Sequence, residues 1–156
     1  MNIPTHQITG LVLSGGRGTR MGHVDKGLLP IDDITLIEAS LRRLQPQVGR
    51  LMINANTHLV EYRRFGFPVW PDEITGYAGP LAGLHAGLSH CDTPYMVSVP
   101  CDTPVFPIDL VERLAFALRM AAAEVACAVT GESQAPELHP VFCLLKRELL
   151  PSLEAY

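Results

Sequence analysis

The chain lacks the features that would place it in a membrane or on a nucleic acid. Its apolar runs are far shorter than the ~20 residues that a membrane-spanning helix requires. Its net charge is −4, whereas nucleic-acid-binding domains usually carry a basic excess. The first residues contain no cationic segment of the kind that opens a secretory signal. These absences predict a cytoplasmic protein that binds neither a membrane nor a nucleic acid.

The four cysteines lack the spacing of a metal site. Cys91, Cys101, Cys127 and Cys143 form no CxxC pair and no finger-like pattern with histidine. We therefore expect buried free thiols in a reducing compartment, since an unpaired cysteine behaves as a small hydrophobic residue. The length of 156 residues and the hydrophobic fraction of 47% predict a single folded domain.

Segments with strand character alternate with segments that have helical spacing. Predicted strands cover Ile8 to Leu13, Leu51 to Ile53, Phe67 to Trp70, Tyr95 to Val99, Val125 to Val129 and Val141 to Leu145. Predicted helices cover Leu36 to Leu44, Leu59 to Phe65, Leu81 to Leu88 and Ile108 to Met120. This alternation predicts an α/β fold, a single three-layer domain with a mostly parallel central sheet covered on both faces.

Four of the predicted strands are followed directly by glycine or by a polar side chain. The residues are Ser14, Gly15, Gly16, Asn54, Asp72 and Asp102. Because ligands of such sheets bind beyond the carboxyl ends of the strands, we expect these residues to meet at one site. Asp72 and Asp102 each also fit a plain turn next to proline, which remains the alternative.

The first strand feeds a glycine-rich loop that is followed by cations. The loop LSGGRGTRMG occupies residues 13–22, and Asp25 and Lys26 follow shortly after it. Glycines after a strand let backbone amides approach a phosphate closely. Arg20 and Lys26 would supply the positive charge that a triphosphate requires. A loop that needs glycine only for its backbone shape is the alternative, and Asp25 is left open between orienting Lys26 or the loop and binding a metal.

Two common phosphate-binding motifs are excluded by single residues. A P-loop requires lysine where His23 follows Gly22, and the third glycine of a dinucleotide fingerprint is replaced by Met21. A serine-nucleophile triad built on Ser14 lacks any matched base. Another class of nucleotide site is therefore expected.

The whole string, with DK two residues after the loop and LL shortly beyond, resembles the signature of nucleoside-triphosphate transferases that activate sugars, alditols and cofactors. This implies a nucleotide-diphospho-sugar transferase fold of Rossmann-like type. Within that group the chain is most similar to the molybdenum cofactor guanylyltransferases, the MobA family. The further matching segments are INANTH, WPD, GPLAGLHAGL, PCDTP and HPVFCLL.

The resemblance implies a reaction and its cofactor. Members of the family transfer GMP from GTP to the terminal phosphate of molybdopterin, or of its molybdenum form, with loss of pyrophosphate. The family uses Mg²⁺, and a molybdoenzyme or its chaperone would receive the product. No protein nucleophile is required, because the attacking group is already a phosphate oxygen.

The resemblance also implies roles for individual residues. Lys26 would neutralise charge at the α-phosphate, Arg20 would hold the β- and γ-phosphates, and Asp102 would bind the metal. These three would form the catalytic set, and Gly79 to Gly83 would pack near base and ribose. The implied nucleotide-binding residues are Leu13, Ser14, Gly15, Gly16, Lys26, Asn54, Asp72 and Asp102.

Two points bear on the substrate and on the extent of the domain. In the related cytidylyltransferase the segment that matches residues 14–16 usually has Ala-Ala-Gly, so Gly15 and Gly16 favour guanine. The family also continues beyond the match with a strand, an NxNTP motif and a terminal helix, so residues 1–156 are expected to form a transferase domain without that segment. The alternatives are a related nucleotidyltransferase with another base or acceptor, such as a cytidylyltransferase or a sugar-phosphate transferase, and a non-catalytic fragment or module that binds GTP.

Overall fold

The computed structural model describes residues 2–15, 25–75 and 79–156. The strands are β1 Ile8–Leu13, β2 Pro30–Ile31, β3 Ile34–Thr35, β4 Arg50–Asn54, β5 Val69–Trp70, β6 Tyr95–Pro100, β7 Val125–Thr130 and β8 Glu137–Lys146. The α-helices are α1 Leu36–Leu44, α2 Leu59–Arg63, α3 Pro80–His90, α4 Leu110–Met120 and α5 Leu150–Ala155. Short 3₁₀ turns cover Thr5–Gln7, Lys26–Leu28, Gln45–Gln47 and Arg147–Leu149.

The main sheet has six strands in the order β5-β4-β1-β6-β8-β7. The first four of these run parallel, and β8 is antiparallel to both of its neighbours. The predicted α/β fold with a mostly parallel sheet is confirmed. Strand β8 departs from the parallel pattern because the chain returns from β7 to β8 through a short turn, and a parallel return would need a long crossover.

Side chains of β1 alternate between two apolar layers. Val12 joins the cluster that α1, α2 and α4 cover, whereas Leu11 joins the cluster that α3 covers on the other face. Both side chains are fully buried. A strand that is apolar on both sides is typical of a parallel sheet with helices on each face, and this places β1 at the centre of the three layers.

Several element boundaries differ from the sequence prediction. Helix α4 begins two residues later than expected, because Leu110 donates its N–H to the carbonyl of Pro107 in a preceding turn. Strand β5 keeps only Val69–Trp70 of the expected segment Phe67 to Trp70. The cysteines are free as expected, although Cys127 is only half-buried. Among the described residues no helix is long and apolar enough to cross a membrane.

Candidate active site

The turn after β1 is tied to the strands on both of its sides. The N–H of Ser14 donates to the carbonyl of Asn54 at 2.7 Å, and the N–H of Cys101 donates to the carbonyl of Leu13 at 3.1 Å. The register pairs Leu13 with Asn54 on one side and with Pro100 on the other. The predicted residues after β1, β4 and β6 therefore meet at one edge of the sheet.

Two asparagines clamp Asp72 beside this turn. The Nδ2 of Asn54 donates to Oδ1 of Asp72 at 2.9 Å, and the Nδ2 of Asn56 donates to Oδ2 at 3.0 Å. The N–H of Asp72 donates to Oδ1 of Asn56 at 2.8 Å, and Asn56 also donates to the carbonyl of Gly15 at 2.9 Å. The clamp fixes a carboxylate next to the glycine turn. The sequence assigned no role to Asn56, and its place in the INANTH segment was the available signal.

Gly15 and Gly83 both pack against the side chain of Asn54. A Cβ added at Gly15 would lie 2.6 Å from Oδ1 of Asn54, and one added at Gly83 would lie 2.5 Å from the same atom. Asn54 is 2% exposed. The first turn of α3 thus lies against the end of β1. Gly79 is the residue before this helix, and its φ of +96° favours glycine. The methyl group of an alanine at position 15 would meet the two asparagines, so an effect of this position on base choice would act through them.

Lys26 and Asp102 face each other across the same edge. Their Nζ and Oδ2 atoms are 3.8 Å apart, and the side chains are 49% and 42% exposed. A loose, exposed ion pair of this kind contributes at most about 1 kcal/mol to stability. Both groups therefore remain accessible to a charged ligand. The hydroxyl of Thr103 donates to Oδ1 of Asp102 at 3.3 Å.

Asp25, next to Lys26, is held by a set of donors. Its side chain is 7% exposed, and it accepts hydrogen bonds from the hydroxyls of Tyr62 and Thr57. The Nδ1 of His58 lies 3.3 Å from Oδ2. His58 and Asp25 are far apart in the sequence, and only the folded chain brings them together.

Burial favours the protonated forms of the Tyr62 hydroxyl and the Cys101 thiol. Burial, together with the hydrogen bond to Asp25, raises the pKa of Tyr62 well above its usual range. The phenol therefore stays protonated and remains a donor at neutral pH. Burial also raises the pKa of Cys101 to about 11, which favours the protonated thiol at neutral pH.

Some predicted residues lie outside the described part of the chain. These are Gly16 and Arg20. Within residues 2–15, 25–75 and 79–156, no group of three or more histidine, cysteine, aspartate or glutamate side chains could hold a metal ion. The buried hydroxyl of Ser14 has no hydrogen-bond partner among those residues. The described residues thus contain no metal site built from three or more of these side chains.

A large apolar cavity lies elsewhere. It measures about 540 Å³ and is bounded by α3, β7, β8 and α5, with Leu84, Cys143 and Leu153 among its lining. None of Lys26, Asn54, Asp72 and Asp102 lines it. Its walls offer almost no polar partner for phosphates.

Comparison with known proteins places the chain among nucleotidyltransferases. Residues 10–156 match the family described as the MobA-like NTP transferase domain. The chain is 53% identical to the molybdenum cofactor guanylyltransferase of Bordetella petrii over 149 residues, which cover 96% of this chain and 76% of that protein. It is 55% identical to the protein of the same name from Methylibium petroleiphilum, covering 97% of this chain and 76% of the relative.

The fold also occurs in a distant solved structure. The molybdopterin-guanine dinucleotide biosynthesis protein A of Archaeoglobus fulgidus superposes with a TM-score of 0.68 at 23% identity. The match covers 94% of this chain and 71% of that one. At this level of identity the likeness concerns the fold alone.

Proposed function

Since this chain belongs to the family of MobA-like NTP transferase domains, we propose that it transfers GMP from GTP to the terminal phosphate of molybdopterin or of its molybdenum form. Relatives named molybdenum cofactor guanylyltransferase, at 53% and 55% identity, support this assignment. The observation that carries it is structural. One sheet edge brings together the turn after β1, the clamped carboxylate of Asp72 and the exposed pair of Lys26 and Asp102.

The chemistry needs positioning and charge neutralisation. An oxygen of the acceptor phosphate attacks the α-phosphorus of GTP, a new P–O bond forms, and the bond to the β-phosphate oxygen breaks to release pyrophosphate. Lys26 would neutralise the charge that develops on the α-phosphate. Arg20 would hold the β- and γ-phosphates as they leave. No side chain is needed as a nucleophile, since the substrate supplies the attacking oxygen.

Asp102 fits the role of a magnesium ligand. Mg²⁺ is usually held by one or two carboxylates together with substrate phosphates and several waters, and a half-exposed carboxylate at the edge of the sheet meets that need. Asp25 is buried among its own donors, so Asp102 is the better ligand of the two. When bound, the ion would neutralise phosphate charge and orient the triphosphate.

The nucleoside would lie against the clamp. Asn54 and Asp72 are fixed relative to Gly15 by hydrogen bonds and close packing. The preformed carboxylate of Asp72 can accept hydrogen bonds from the N–H groups of guanine. Cytosine does not present its N–H groups in the same arrangement.

The four free cysteines also favour a reducing cytoplasmic compartment for this reaction.

The test combines binding with turnover. Calorimetry with GTP, CTP, ATP and UTP should show preferential binding of GTP, and equal or tighter binding of CTP would overturn the guanine assignment. Pyrophosphate release should require GTP, molybdopterin and magnesium together, with a chelator as the control. Tight GTP binding without any pyrophosphate release would favour a non-catalytic binding module.

A further inference from the structure

Asp25 is a buried carboxylate for which the proposed reaction has no chemical use. It accepts hydrogen bonds from the hydroxyl of Thr57 at 3.2 Å, from the backbone N–H of Gly27 at 3.3 Å and from the hydroxyl of Tyr62. A charged group that is buried to this extent needs such partners. The donors other than Gly27 come from residues 57–62, which follow the neighbouring strand β4.

The same carboxylate organises the turn that carries Lys26. Asp25 caps the 3₁₀ turn Lys26–Leu28 through the N–H of Gly27, and its carbonyl accepts from Leu28 at 3.1 Å. The N–H of Leu29 then donates to the carbonyl of Lys26 at 3.1 Å. The backbone of Lys26 is thus bracketed by hydrogen bonds on both sides.

The turn has no room to shift toward α2. A Cβ added at Gly27 would lie 2.5 Å from the hydroxyl of Tyr62 and 3.0 Å from the hydroxyl of Ser14. Tyr62 is itself fully buried, so it forms a fixed wall behind the turn. The loop after β4 and helix α2 therefore determine where the backbone of Lys26 sits.

We propose that Asp25 is a positioning residue, which holds the turn of Lys26 so that its ammonium group lies beside Asp102 at the substrate-facing edge. This inference rests on the proposed function for its catalytic consequence, since Lys26 is the group that acts on the phosphate. Lysine has a long flexible stem and makes a point contact. Fixing its backbone limits the volume that the ammonium group explores, and a misplacement of about 1 Å can cost on the order of 100-fold in rate.

The first experiment measures the turn without any substrate. Amide hydrogen exchange of residues 27–29 should become at least about tenfold faster in Asp25→Asn and in Tyr62→Phe, because each weakens the cap. Tyr62→Phe keeps the ring and its packing, so it serves if Asp25→Asn does not fold. Tyr95→Phe is the matched control, since Tyr95 packs against the same core but begins β6 at the opposite edge of the sheet.

The second experiment measures turnover in a double-mutant cycle with Lys26→Ala. Asp25→Asn should lower kcat by about 10- to 100-fold with little change in the KM for GTP. In the Lys26→Ala background the same change should have an effect of less than about threefold, because the group that it positions is gone. A purely structural role would lower activity by the same factor in both backgrounds.

The outcomes separate this inference from the proposed function. If the wild type releases no pyrophosphate but exchange is faster in the variants, the proposed function is wrong. The inference that Asp25 holds the turn would still be supported. Unchanged exchange at residues 27–29 in both variants would overturn the inference whatever the activity. Equal losses of kcat with and without Lys26 would also overturn it, even if the wild-type enzyme is fully active.

Discussion

Replacing Gly83 by alanine tests the packing of α3 against Leu13 and Asn54, at the carboxyl ends of β1 and β4. The added methyl group would lie 2.5 Å from Oδ1 of Asn54 and 2.6 Å from Cδ2 of Leu13. The amide of Asn54 cannot rotate away freely, because its Nδ2 is already bound to Asp72 and to the carbonyl of Trp70. Either the helix moves outward or this pair of hydrogen bonds is distorted.

The expected energies have opposite signs. Overpacking a well-filled site costs about 1–3 kcal/mol, whereas alanine in place of glycine inside a helix gains up to about 1 kcal/mol. We therefore expect a net loss of roughly 0–3 kcal/mol in the free energy of unfolding. The affinity for GTP should fall by on the order of tenfold, which corresponds to about 1.4 kcal/mol, since Asn54 and Asp72 shift together.

Gly87 in the same helix provides the matched control. A Cβ there would lie 2.5 Å from Cδ2 of Leu11 and 2.8 Å from Sδ of Met96, which are ends of flexible apolar side chains. Gly87→Ala gains the same helix propensity and also crowds the core, but it leaves the clamp intact. Urea unfolding and calorimetry with GTP should show comparable stabilities and reduced affinity only in Gly83→Ala. Wild-type affinity in Gly83→Ala would refute the reasoning.

Three further predictions address the proposed catalytic residues Lys26 and Asp102 and a buried thiol. Lys26→Ala should lower the single-turnover rate by about 100-fold while GTP affinity changes less, and a change confined to affinity would assign Lys26 a ground-state role. Asp102→Asn should abolish the stimulation of turnover by magnesium, and a retained wild-type rate would remove Asp102 from the site. Burial raises the pKa of Cys143 from 9.0 to about 11, so its contribution to stability is complete below pH 9 and is lost as the pH rises toward 11. The free energy of unfolding, measured with urea, should therefore fall less steeply between these two pH values in Cys143→Ala than in the wild type. Identical pH dependence in the two proteins would contradict the burial argument.

Local sequence patterns were sufficient for the central elements. β1 and α1 have the predicted bounds, because an apolar run ending in glycine and a helix capped by Thr35 are both specified within a few neighbouring residues. The prediction that residues after several strands share one edge also follows from local information, since all carboxyl ends of parallel strands point the same way. The antiparallel pairing of β8 with β6 was not foreseen, because pairing depends on residues far apart in the chain.

The candidate site residues could largely be named from the sequence, whereas the residues that hold them in place could not. Lys26, Asp72 and Asp102 stand in motifs, whereas the side-chain donors to Asp25 come from residues 57–62, more than thirty positions away. A motif records which groups meet the substrate, because those residue types are required by the reaction. Only tertiary packing decides which distant side chain holds each group in place, since a hydrogen bond across two elements leaves no periodic trace in the sequence.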